Sequence, residues 1–125
     1  KLADAIAAAT KSTPAPTVAS RITLLKDITG EVEQHVSGQQ NIVIDFAGFD
    51  VTVNANTEVS AINNYGKLKL TNSNTSSHST LNVYTTVGSA FGVYNNAVVL
   101  VDGVDIIVQA PNGQAVGIYN ENPTS

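Results

Sequence analysis

Four aspartates stand on strand-like segments, Asp45, Asp50, Asp102 and Asp105, and two lysines, Lys67 and Lys69, alternate along a fifth. Two carboxylates roughly 5 to 9 Å apart in a groove would suit glycoside hydrolysis. A lysine beside such a pair would suit a lyase acting on an acidic polymer. Asp45 alternates away from the apolar face of "NIVIDF" and is expected on the outer surface. Asp50, Asp102 and Asp105 stand beside turns, where a short carboxylate serves by accepting backbone N–H bonds. Lys67 and Lys69 share one strand face, either as a solvated face that guards an edge or as a contact for an acidic polymer. His35 and His78 fall in loop-like segments with no third ligand at metal-site spacing. Asp102 and Asp105 match neither an EF-hand loop nor a Gly-Asp calcium repeat, and no Gly-x-Ser-x-Gly elbow is present. These residues point to no catalytic constellation, no metal and no cofactor.

A second set of residues is repeated. "AINNYGKLKL" at 61–70 is followed by "GVYNNAVVLV" at 92–101 and "GIYNEN" at 117–122. Asn64, Asn95 and Asn120 recur at steps of 31 and 25 residues. Ile62, Val93 and Ile118 recur with them. Both steps lie in the range of solenoid repeats. The longer one is explained by the polar stretch "TNSNTSSHST", residues 71–80, which reads as a loop inserted into one turn. In stacked coils an asparagine amide, at once donor and acceptor, forms a ladder with its copies above and below. Asn64, Asn95 and Asn120 are the expected ladder, with Ile62, Val93 and Ile118 as an aliphatic column inside. Tyr94 and Tyr119 then fall on the opposite parity. If outward, they form a stacked aromatic strip able to meet sugar rings or a neighbouring subunit.

Composition agrees with an ordered, weakly charged β protein. Charged residues make up 13% of the 125-residue chain, about half the usual share of about 25%. The formal net charge of −4 argues against a nucleic-acid partner, which needs a basic face. The six basic residues, Lys1, Lys11, Arg21, Lys26, Lys67 and Lys69, are scattered. Cysteine is absent, which excludes a disulfide framework and a thiolate metal site. No apolar run reaches the length of about 18 residues that a membrane span needs.

The elements that must position these residues are short. Leu2, Ile6 and Ala9 share a face at helical spacing, so residues 2–9 read as a helix that needs packing to persist. Pro14 and Pro16 make the following segment an extended connector. From Arg21 onward, "RITLL", "NIVIDF", "DVTV", "KLKL", "TLNVY", "VVLV" and "IIV" read as short strands. Gly and Asn punctuate them.

The run "RITLLKDIT", "SGQQNIVIDFAGFDVTV", "AINNYGKLKLTNS" and "GVYNN" resembles the right-handed parallel β-helix repeats of pectate-lyase-like proteins, as found in bacterial surface adhesins and in phage tail spikes and fibres. The "L..AI..A" segment resembles the N-terminal cap of such domains. The resemblance covers Leu2 to Asn122. It implies an all-β protein, a right-handed parallel β-helix of about 4–5 coils at solenoid repeat length. Residues 1–20 are the capping helix and Pro-containing connector, and residues 21–125 the β-helix.

The fold hosts lyases, hydrolases and plain adhesive proteins, so it does not choose among them. The expected function is non-enzymatic: a structural or adhesive part of a bacteriophage virion, such as a fibre, spike or capsid-decoration module. A bacterial cell-surface adhesin module is the first alternative. A polysaccharide lyase or hydrolase with a groove near Asp45, Asp102 and Lys67 is the second. Expected partners are further copies of the chain, a trimer by analogy, or a neighbouring virion or surface protein, and a surface polysaccharide. Tyr94, Tyr119, Lys67 and Lys69 are the candidate contacts. The expected location is a virion or the cell exterior.

Overall fold

The computed structural model describes residues 1–30 and 33–121. After the helix α1 (Leu2–Ala8) the chain winds through four coils, each laying one strand on each of three sheets. The first coil holds β1 (Ser20–Thr23), β2 (Ile28–Thr29) and β3 (Gln34–Val36), and the second β4 (Asn41–Asp45), β5 (Val51–Ala55) and β6 (Val59–Asn64). The third holds β7 (Lys67–Thr71), β8 (Ser79–Thr85) and β9 (Ala90–Asn95), and the fourth β10 (Val98–Asp102), β11 (Val104–Gln109) and β12 (Ala115–Asn120). The first sheet runs β1-β4-β7-β10, the second β2-β5-β8-β11 and the third β3-β6-β9-β12, with every pairing parallel. The chain is a parallel β-solenoid of four turns.

Alternation explains each rung. On the first sheet Ile42 and Ile44 are fully buried, with Leu68 and Leu70 in register above them and Val99 and Val101 above those. Lys67 and Lys69 fall on the opposite parity and point away from the core. On the second sheet Val51, Leu81 and Ile106 stack, as do Val53, Val83 and Val108. On the third, Ile62, Val93 and Ile118 stack. Burial of such columns is the main favourable contribution to a solenoid, because each coil meets only its neighbours.

The coils differ at their corners. In the fourth coil Gly103 alone joins β10 to β11, with φ at 80°, a left-handed conformation that a side chain would strain. In the third coil residues 72–78 fill the same corner as a loop, which lengthens that coil without disturbing the strands around it.

At the N-terminal end α1 lies against β3 and buries Leu2 and Ile6. Seven residues make a marginal helix, so this packing is what holds it. Gln40, itself fully buried, donates from Nε2 to the carbonyls of Ile6 at 2.7 Å and Ala9 at 3.3 Å. Its Oε1 accepts the Ser37 N–H at 3.0 Å. One amide thus satisfies the helix C-terminus, where carbonyls lack intrahelical partners, and ties the cap to the second coil. The sequence reading finds no strand at β2 or on the third sheet (β3, β6, β9 and β12), although it places Ile62, Val93 and Ile118 in an inward column, and the buried Gln34 and Gln40 went unremarked. Among the described residues no helix is long and apolar enough to cross a membrane.

Candidate functional site

On the outer face of the third sheet the half-buried Phe91 and Tyr94 meet the exposed Tyr119. In β9 strict alternation would place Phe91 inside with Val93. Instead Gly92 and Val93 are both buried, while Phe91 and Tyr94 lie together outside with ring centroids 5.6 Å apart. The break is made at Gly92. A Cβ there would stand 2.5 Å from the Gly117 carbonyl oxygen and 2.5 Å from Ile106 Cγ2, so only glycine fits. The register passes Phe91 to Val116 and Tyr94 to Tyr119 in the coil above. Tyr94 and Tyr119 stack at 5.0 Å with an interplanar angle of 25°, and Phe91 meets Tyr119 edge-on at 5.6 Å. Edge-to-face and offset arrangements of this kind are the favourable aromatic geometries.

Carboxylates flank this surface. Tyr94 donates its hydroxyl proton to Glu121 Oε2 at 2.7 Å. That bond, with lesser help from burial and from the negative charge of Glu121, pushes the phenol pKa up to about 12. Down the column, Tyr94 pairs with Asn63 and Asn63 with His35. Glu33 accepts the Ser60 N–H at 3.0 Å and Asn63 Nδ2 at 3.4 Å. Tyr65, just past Asn64, is exposed. Phe91 escaped the sequence reading because its outward direction depends on the break at Gly92. The pairing of Gly92 with Gly117 in the repeat was the available signal.

Behind this face the asparagines meet. Asn64 Nδ2 donates to Asn95 Oδ1 at 2.8 Å, and Asn95 Nδ2 donates to Asn120 Oδ1 at 2.9 Å. Asn64 also donates to the carbonyls of Gly66 at 3.2 Å and Val98 at 2.8 Å, and its Oδ1 accepts the Gly66 N–H at 3.1 Å. Asn64 and Asn95 are buried, whereas Asn120 is exposed. The aliphatic column beside them follows the same gradient: Ile62 and Val93 are buried, and Ile118 is 39% exposed.

Lys67 and Lys69 lie on the first sheet, a different face from Tyr94 and Tyr119. Lys67 stands in register between Asn41 and Val98, and Lys69 between Val43 and Leu100. Asp45 does not reach the outer surface. It is 2% exposed and packs at the end of β4, where the chain turns into the buried Phe46. Its carboxylate accepts the Arg21 guanidinium from the coil below, the Ser73 N–H at 2.9 Å from the coil above and the Ala47 N–H at 2.9 Å. Burial alone would raise its pKa, but the bonds from Ser73, Arg21 and Ala47 outweigh it and hold the value at about 2. Asp50 takes the N–H and hydroxyl of Thr80 at 2.8 and 2.9 Å. Asp102 and Asp105 are exposed on either side of Gly103. His35 is an exposed strand residue of β3 rather than a loop residue, and His78 is exposed in the loop before β8. Among the described residues no group of three His, Cys, Asp or Glu side chains is placed to hold a metal ion.

No family model matches the chain, and comparison with curated proteins and with solved structures finds no significant match.

Proposed function

We propose that this chain is a non-enzymatic structural and adhesive module, displayed on a virion or on the outside of a cell, whose aromatic face contacts a surface glycan. The observation that carries the reading is the outward cluster of Phe91, Tyr94 and Tyr119 on a rigid sheet. Large aromatic side chains left outward on neighbouring rungs add nothing to the solenoid core. They offer flat apolar surface with polar tips, the combination that makes tyrosine effective at contact sites. Asparagine, glutamate and histidine beside them supply hydrogen-bonding groups for sugar hydroxyls. A phage fibre, spike or decoration module and a bacterial surface adhesin are the two settings that suit such a scaffold. Engagement of Asp45 with Arg21 and Ser73 leaves it out of any hydrolytic groove on the outer surface.

The reading includes assembly with further copies of the chain. It is supported by the outward apolar residues of the fourth coil, Val98, Leu100 and Ile107, which occupy positions held by lysine and asparagine one coil below. Sedimentation across a dilution series tests this part. A mass that stays monomeric at high concentration would remove it.

The glycan reading is tested by titrating the protein with a panel of surface oligosaccharides, followed by calorimetry or chemical-shift mapping. Saturable binding is expected, with shifts at Phe91, Tyr94 and Tyr119. Truncation of such an anchor costs about 2 kcal/mol, so Tyr119→Ala should weaken binding more than about tenfold. Binding that maps elsewhere, or turnover of an oligosaccharide by the wild type, would overturn it.

A further inference from the structure

We propose that the aromatic face selects a glycan carrying a protonated amine, a proposal that rests on the glycan reading above. The electrostatics of the face are one-sided. Aromatic ring faces are negative and attract cations. Three rings, Phe91, Tyr94 and Tyr119, converge here, with Glu121 hydrogen-bonded to the Tyr94 hydroxyl and Glu33 beside Asn63. A phenol that donates to a carboxylate gains electron density in its ring, which strengthens the attraction further.

Among the described residues no cation forms an ion pair with Glu121, whereas Lys11 and His35 share the cavity beside Glu33 at the other end of the face. Among the described residues the ion pairs are the N-terminus of Lys1 with Asp4, and Arg21 with Asp45. Lys67 and Lys69 stand on another sheet. A neutral sugar that covers Glu121 takes water from a carboxylate and returns only hydroxyl bonds. An ammonium group on the sugar compensates that loss by pairing with the carboxylate while lying over a ring face.

The test compares two probes of identical ring, linkage and length: an oligosaccharide of β-1,4-linked glucosamine and its fully N-acetylated counterpart. The free-amine form is expected to bind about tenfold tighter at low salt, with the preference shrinking as ionic strength rises. Glu121→Gln should abolish the preference, whereas Asp105→Asn, which changes the same charge on the second sheet, should leave it intact. Equal binding of the two probes overturns this inference and leaves the glycan reading standing. Binding of neither overturns this inference, and the glycan reading is then decided by the wider panel. A preference that survives Glu121→Gln, or that falls equally in Asp105→Asn, marks general attraction to an acidic protein and overturns the inference.

Discussion

At the N-terminal end Leu2 and Ile6 close over the first coil and Gln40 fastens them with two donated bonds. At the other end Ile118 is 39% exposed, the inward Val99 and Val101 are only half-buried, and among the described residues no element covers the fourth coil. Both ends use the same strand pattern, so the difference lies in what lies over the last rung. The same residue type at equivalent positions has a different energetic weight in the two halves. A column residue is held only as strongly as the coils on both sides of it allow.

Four substitution pairs would break or sharpen that contrast. The largest effect is expected at the ladder. Asn64→Leu takes one of two donors from the Asn95 oxygen, removes the amide from the Val98 carbonyl and the Gly66 N–H, and should lower stability in a urea titration by about 3 kcal/mol or more. Asn120→Leu, on the exposed rung, should lower it by less than about 1 kcal/mol. Equal losses would mean that the ends are equivalent. Next comes the cap: Ile6→Ala should remove about 2 to 4 kcal/mol and Ile118→Ala less than about 1 kcal/mol, read from the same unfolding curves. Gly92→Ala drives a methyl group into the Gly117 carbonyl and Ile106, and should be destabilising by about 2 kcal/mol. The corresponding Cβ at Gly117 meets Ile106 Cγ2 at 3.9 Å, an ordinary contact, so Gly117→Ala should be neutral to within about 0.5 kcal/mol.

The last pair is read as a titration. Asp45 has a folded pKa near 2 against an ordinary value of 3.8. A depressed carboxylate pKa contributes stability that is present above pH 3.8 and lost as the pH falls through 2, about 2 kcal/mol in all. Asp45→Asn should flatten the stability profile in that window. Asp102→Asn, on the exposed fourth coil of the same column, should change stability at neutral pH by less than about 0.5 kcal/mol.

The strands with clear alternation, such as Asn41–Asp45 and Lys67–Thr71, were legible in the sequence because a period of two residues marks one buried face. So was the stacking of coils, because Asn64, Asn95 and Asn120 repeat at a common offset from an aliphatic residue. Strands β2 and β3 were not legible, since two or three residues carry no periodicity, and β6, β9 and β12 showed only as repeated Asn and aliphatic positions, because burial in β6 and β9 does not alternate. Gln34 and Gln40 went unremarked in the sequence, because burial of an amide depends on partners from other coils. Asp45 misled for a related reason: alternation sends it outward, but Arg21 and Ser73 converge on it from the coils below and above. At the candidate site Tyr94 and Tyr119 could be read, whereas Phe91 and Glu121 joined them only through the break at Gly92 and the Tyr94 hydroxyl bond.

The asparagine ladder has a directional consequence. Both amides hand their proton toward the fourth coil, Asn64 to Asn95 and Asn95 to Asn120, so their dipoles add. An aliphatic column is indifferent to a slip of two residues, because valine, isoleucine and leucine replace one another with little penalty. An amide is not: a slipped coil would set its nitrogen against a methyl group and leave it dry and unpaired. The ladder therefore proofreads the winding. It lets each turn settle in one registration out of several that the greasy interior alone would accept.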